Sequence, residues 1–170
     1  MSTTAIRIPL ARAKQLAAAV RNELEPGCVR IEIAGSVRRR RPDIGDIELV
    51  AIPKVRTDLI GRQLDTELDG ILDGLAQAGR LEKVKGQDLY RQYVLTNSGV
   101  NLDLFMTTPE QFGWIFMLRT GPKAFTKNVV WSRALGGLCP FGVKFESGLV
   151  LVDGESVPVP EERDVYAILG

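Results

Sequence analysis

The stretch Gly35-Ser36-Val37-Arg38-Arg39-Arg40-Arg41-Pro42-Asp43-Ile44-Gly45-Asp46-Ile47-Glu48-Leu49-Val50 decides how the chain is read. On its N-terminal side Val29, Ile31 and Ile33 alternate with Arg30 and Glu32, the period-two pattern of a strand running into Ala34-Gly35-Ser36. On its C-terminal side Asp46 to Ile52 has the same period, with Ile47, Leu49 and Ala51 on one face and Asp46, Glu48 and Val50 on the other. Residues 37–45 between them are too polar, and too strongly marked by Pro42 and Gly45, to form a continuous element. Carboxylates at i and i+2 on a strand project to the same side, so Asp46 and Glu48 can face one small volume. Without a partner they repel each other, and a divalent cation removes that repulsion.

Moving outward, residues 9–25 place Leu10, Ala13, Leu16, Ala17, Val20 and Leu24 at helical spacing, with Pro9 at the start and Pro26-Gly27 as the stop. Residues 57–77 repeat apolar side chains at Ile60, Leu64, Leu68, Ile71, Leu72 and Leu75 while Asp65, Glu67, Asp69 and Asp73 face elsewhere, which predicts a second amphipathic helix over the sheet. Residues 81–84, 90–95 and 100–106 read as strands, the last two joined by the turn-like Thr96-Asn97-Ser98-Gly99. In the last of these Leu102 and Leu104 face the core and Asp103 faces away, which supplies a third carboxylate.

A helix is expected from Pro109, with Thr107 and Thr108 as capping candidates, to just before Gly121, and another over residues 122–135, stopped by Gly136-Gly137. Trp114, Phe116 and Trp131 lie at helical spacing among Ile115, Leu118, Val129 and Leu135, so they are expected in the core rather than as base-stacking platforms. Residues 144–159 read as short strands broken at Ser147-Gly148 and Asp153-Gly154, and residues 160–169 as a closing helix. The class is α+β, a small helix-covered sheet followed by a mainly helical lobe.

Composition narrows the chemistry. A chain of 170 residues with 45% hydrophobic and 25% charged residues is ordinary for a globular protein and argues against disorder or a fibre. No apolar run approaches the roughly 20 residues of a membrane span. Residues 1–8 carry no cationic head followed by an apolar run, so neither a leader nor an anchor is expected, and a cytoplasmic protein is. There is no histidine, and Cys28 and Cys139 have no metal-ligand spacing, which excludes zinc sites and histidine-based catalysis. Net charge is only +1, yet its distribution is uneven. Residues 111–145 hold five bases, Arg119, Lys123, Lys127, Arg133 and Lys144, and no acid, whereas residues 58–73 hold five acids against Arg62. A duplex held between the basic lobe and the Arg38 to Arg41 run, by contacts to phosphate that ignore sequence, is the expected partner geometry.

The order and spacing of Gly35-Ser36, the arginine run, Gly45-Asp46-Ile47-Glu48 and Asn101-Leu102-Asp103-Leu104-Phe105 resemble the palm motifs of family X DNA polymerases, the DNA polymerase beta-like branch of the nucleotidyltransferases. Arg119-Thr120-Gly121-Pro122-Lys123-Ala124-Phe125-Thr126-Lys127-Asn128 is similar to that family's segment bordering the nucleotide and templating base, and residues 8–13 are similar to the helix preceding the first motif. The resemblance implies a palm-like catalytic subdomain over residues 1–107 and a nucleotide- and template-facing subdomain over residues 108–170. It implies that Asp46 and Glu48 are shared by two Mg²⁺ ions, with Mn²⁺ a possible substitute, and that Asp103 binds the catalytic ion beside the primer 3′-hydroxyl. Gly35, Ser36 and Arg39 would hold the β- and γ-phosphates, Gly121 would lie against the sugar, Thr126 and Lys127 would face the base pair, and Arg119 would border the nucleotide.

Three departures stand out. Glu48 occupies a position where these polymerases usually carry Asp, Leu118-Arg119 replaces an aromatic pair, and residues 1–8 offer no lyase module before the palm motifs, so a minimal form reminiscent of viral members is expected. The implied activity is repair-type addition of dNMP from dNTP to DNA, primer-template or gapped, by a monomer. Two alternatives remain open on the residues: transfer to tRNA, a protein or a small molecule, and a nucleotide- or DNA-binding module with degenerate catalysis.

Overall fold

The computed structural model describes residues 6–57, 60 and 63–170. The chain divides into two units, Met1–Met106 and Thr107–Gly170, and the fold is α+β. In the first unit the elements run β1 Ile8–Pro9, α1 Leu10–Leu24, β2 Cys28–Ile33, α2 Gly35–Arg38, β3 Asp43–Ile44, β4 Asp46–Pro53, β5 Val55–Thr57, β6 Gln63–Thr66, α3 Glu67–Gln77, β7 Leu81–Gln87, β8 Tyr90–Leu95 and β9 Val100–Met106. Among the described residues five strands form a mixed central sheet in the order β2-β4-β9-β8-β7. β4 and β9 are parallel, and the other neighbours are antiparallel.

One face of this sheet is apolar because the strands alternate. Ile31, Ile47, Leu49, Leu102 and Leu104 are buried there, and α1 and α3 cover them with Leu16, Val20, Leu24, Leu68 and Leu72. Each such side chain contributes about 1.5–3 kcal/mol on burial, far more than any exposed ion pair. The opposite face is left to carry polar residues near the start of β4.

Two expectations for this unit need correction. The helix expected over residues 57–77 begins only at Glu67, and Gln63–Thr66 instead pairs as a strand with Val55–Thr57. The reason is local: the Thr66 hydroxyl accepts the Asp69 N–H at 3.1 Å while Asp69 accepts the Thr66 N–H at 3.0 Å, a reciprocal cap that ends the helix in the N-terminal direction. Ile60 is 74% exposed, so it is not on a buried stripe. Residues 58, 59, 61 and 62 and the Leu64 side chain lie outside the described residues. Residues 37–45 are also more ordered than their polarity suggests. Val37 and Ile44 are buried, α2 makes one turn, and Ile44 pairs with Ile8 in a short antiparallel bridge that fixes the loop before Gly45.

The second unit contains a 3₁₀ turn at Pro109–Gln111, α4 Phe112–Thr120, α5 Lys123–Val130, a second 3₁₀ turn at Arg133–Leu135, the meander β10 Val143–Glu146, β11 Leu149–Val152 and β12 Glu155–Ser156, and α6 Glu162–Leu169. Its core gathers Trp114, Met117, Val129, Val150, Val159, Val165 and Leu169. Buried Gln111 ties the meander to α4: its amide donates to the Val157 carbonyl at 3.1 Å and its carbonyl accepts the Val150 N–H at 3.1 Å. The chain enters α4 through the 3₁₀ turn, and Thr108, which precedes that turn, makes no side-chain capping bond.

The helix expected over residues 122–135 stops at Val130. A continued helix would need the carbonyls of Asn128 and Trp131, and these accept the N–H groups of Leu138 and Cys139, both at 2.8 Å, from the returning chain. Trp114 and Phe116 are buried as expected, but Trp131 is 45% and Leu135 75% exposed, so these two are not core residues. Cys28 and Cys139 are unpaired and buried. Among the described residues no helix is long and apolar enough to cross a membrane.

Candidate functional site

The parallel register of β4 and β9 assembles the site. Asp46 pairs with Asn101 and Glu48 with Asp103, and alternation turns all four away from the buried Ile47, Leu49, Leu102 and Leu104. Strand neighbours lie about 4.8 Å apart and residues two apart on one strand about 6.6 Å apart, so the three carboxylates project from one compact patch. Burial, and after it the charge of Asp103, push the Asp46 carboxyl above the usual carboxylate range, while the Arg7 and Arg39 guanidiniums pull it part of the way back.

Two of the carboxylates have close neighbours that frame them. Asp103 Oδ1 accepts the Tyr90 hydroxyl at 3.0 Å and the Gln92 amide at 2.8 Å. Gln92 is the direct partner of Asp103 across β8 and β9, and Tyr90 is braced by stacking on Phe105 with ring centroids 5.0 Å apart. Glu48 is framed by Gly35: a Cβ at Gly35 would overlap Glu48 Oε2 and come within 2.5 Å of Cδ. Gly35 has φ +60°, a conformation glycine adopts without strain, so that the backbone lies directly against the carboxylate. The Ala34 N–H donates to the Glu48 carbonyl at 2.8 Å and holds the end of β2 to β4. Next in sequence, Ser36 Oγ is buried and has no hydrogen-bond partner in the protein. A buried hydroxyl left unpaired is costly, and a ligand oxygen in front of Gly35 would satisfy it.

The donors suit a hard divalent cation, since all are oxygens and three of them are ionisable. Among the described residues, however, no three Asp, Glu or Cys side chains are already drawn together as a closed ion cage.

Of the residues singled out by sequence, Gly35, Ser36, Arg39, Asp46, Glu48 and Asp103 all belong to the first unit, with Arg39 on the exposed turn after α2. Arg119, Gly121, Thr126 and Lys127 belong to the second unit, at the end of α4 and on α5. A Cβ on Gly121 would lie 2.8 Å from Thr126 Cγ2, so this turn is closely packed. The Thr126 hydroxyl donates to the Lys123 carbonyl at 3.1 Å and is therefore engaged within its own helix. Lys127 Nζ sits 4.4 Å from the centroid of the Trp131 ring.

Sequence reasoning missed Tyr90, Gln92 and Arg7. The first two were findable: a four-residue turn pairing Leu95 with Val100 sets Gln92 opposite Asp103 and Tyr90 opposite Phe105. Arg7, bonded to Asp43 at 2.7 Å, enters through the β1–β3 pairing, for which the residues give no local signal. Compared with known proteins, the chain matches no family model and no curated protein.

Proposed function

We propose that this protein is a nucleotidyltransferase that adds a deoxynucleoside monophosphate from a dNTP to a DNA 3′-hydroxyl and releases pyrophosphate. The observation that carries the reading is the β4–β9 register, which aligns Glu48 with Asp103 and sets Asp46 beside them on the polar face under Gly35 and Ser36. Asp46, Glu48 and Asp103 would hold Mg²⁺ or Mn²⁺. When bound, a pair of such ions supplies charge neutralisation on the triphosphate and a lowered pKa for the attacking hydroxyl.

The chain's own residues do the rest. Gly35 leaves room for a phosphate to approach the backbone, the Ser36 hydroxyl donates to a phosphate oxygen, and Arg39 offsets anionic charge. Tyr90 and Gln92 fix one oxygen of Asp103, so that carboxylate keeps its orientation as the 3′-oxygen bonds to the α-phosphorus and the bond to pyrophosphate breaks.

The test is incubation with labelled dNTPs, Mg²⁺ or Mn²⁺, and a panel of primer-template, gapped, single-stranded and tRNA acceptors. Metal-dependent extension of DNA is the expected result. Asp103→Asn should cut turnover at least about a hundredfold, comparable to losing a major transition-state stabiliser, with metal-dependent dNTP binding retained. Asp103→Asn at wild-type turnover, or incorporation confined to tRNA, would overturn the assignment.

A further inference from the structure

We propose that the loop following α5 is a stacking platform for unpaired nucleic-acid bases, so that the acceptor engaged by the second unit includes a single-stranded segment. The inference rests on the nucleic-acid acceptor of the proposed function and adds the form in which it is bound. Where α5 stops, the returning chain is stitched to it by the Leu138 N–H to Asn128 carbonyl and Cys139 N–H to Trp131 carbonyl bonds, both 2.8 Å. Between the last turn of α5 and the start of β10, Val130, Trp131, Leu135, Leu138 and Phe141 are exposed, and Phe141, two residues beyond the stitched part, is fully exposed. Clustered exposure of this kind on one loop marks a contact surface rather than a core.

Charge says what kind of partner fits. Residues 111–145 contain no acid, and Lys123 and Lys127 are exposed on the same helix that leads into the loop. Lys127 Nζ lies over the Trp131 ring, 4.4 Å from its centroid, and Trp131 is still 45% exposed, so a cation and an aromatic surface are presented together. Arg133 is held by the Leu169 carbonyl and contributes positive charge from a fixed place. The Asp153 carboxylate lies beside Gly142, next to Phe141 in sequence, so the phosphates belong at the Lys123 and Lys127 end and a base at the Phe141 end. An anionic bilayer would also take apolar tips flanked by lysines; a nucleotide is preferred because it is the acceptor of the proposed function, and the vesicle titration below separates the two.

Fluorescence reads this directly. Of the two tryptophans, Trp114 is buried and stacked on Phe145 while Trp131 is exposed, so quenching on titration of the full-length chain with oligo-dT reports on Trp131. Binding should weaken about fivefold to about 150-fold in Phe141→Ala, the range for losing one base–aromatic stack. Phe141 is fully exposed, so its replacement leaves the fold intact. The logarithm of the affinity should fall with log salt at about −0.7 per phosphate. Trp131→Phe, followed by anisotropy of labelled oligo-dT, should retain most of the binding, as a conservative ring exchange does. Oligo-dT binding without nucleotide transfer to any acceptor would leave this inference standing and sink the proposed function. Extension of duplex DNA with no oligo-dT binding, or with identical affinity in Phe141→Ala, would do the reverse. Phe141-dependent binding to phosphatidylglycerol vesicles in place of oligo-dT would overturn it in favour of a lipid surface.

Discussion

Replacing Gly35 by alanine isolates the contact that frames Glu48, because the protein contains its own control. Gly35 and Gly79 both adopt positive φ, +60° and +67°, so an alanine at either bears the left-handed backbone penalty of about 1–2 kcal/mol. A Cβ at Gly79 meets nothing within 4 Å, whereas at Gly35 it would overlap Glu48 Oε2. The carboxylate ends a flexible side chain and can swing away, so the overlap adds only about 0.5–1.5 kcal/mol of rotamer cost, and Gly35→Ala should cost about 1.5–3.5 kcal/mol against about 1–2 kcal/mol for Gly79→Ala. Stability is best followed by amide exchange at Ala34, whose N–H is bonded to the Glu48 carbonyl at 2.8 Å, together with urea unfolding by circular dichroism. Truncating Glu48 to alanine in the Gly35→Ala background should recover the overlap part and leave the backbone part, a coupling of about 0.5–1.5 kcal/mol against additivity within about 0.5 kcal/mol for independent sites. Equal costs at Gly35 and Gly79, or additive Gly35 and Glu48 substitutions, would refute the placement of Gly35 against the carboxylate.

Asp46→Asn should raise the melting temperature at neutral pH in EDTA. The folded-state pKa of Asp46 is raised, so ionised Asp46 penalises the folded state in full above that pKa, and the gain from Asn should shrink as pH falls below it and vanish below the ordinary carboxylate value; calorimetry showing no such convergence would count against the burial and the Asp103 repulsion. Asp69 carries the opposite sign. Burial alone would raise it, but bonds from Arg91 at 2.5 Å and from Thr66 outweigh that and hold its carboxyl below the usual range. Its contribution is therefore present above the unfolded carboxylate pKa and lost as pH falls through the lowered folded value; Asp69→Asn should cost about 1.5–3 kcal/mol at pH 7 and little in strong acid, measured by urea unfolding. Tyr90→Phe and Gln92→Met should each lower turnover by about tenfold to about a hundredfold while leaving the dNTP KM nearly unchanged, because each removes one hydrogen bond to a charged carboxylate; equal losses in KM would place both residues on substrate instead.

What was legible in the residues follows the range of the interactions. Strands 90–95 and 100–106 appear where alternation and the Thr96 to Gly99 turn put them, since both signals lie within a few residues. The start of α3 was also written locally, as Thr66 three residues before Asp69, but the apolar spacing of Ile60 and Leu64 outweighed it. The end of α5 had no local mark: the carbonyls of Asn128 and Trp131 are taken by Leu138 and Cys139, a choice made by returning chain. Trp131 was misplaced for that reason, since its helical spacing is real only as far as Val130. The carboxylate patch lies between these cases. Each strand shows its own polar face, but only pairing between β4 and β9 brings the faces together, and no nearby residue announces that pairing. Its register is nevertheless secured by the core. Slipping β9 by one residue would turn Leu102 and Leu104 onto the polar face and drive Asp103 under α1 and α3, at a cost of several buried side chains. The apolar residues that bury the sheet are thus what aim Glu48 and Asp103 at the same volume.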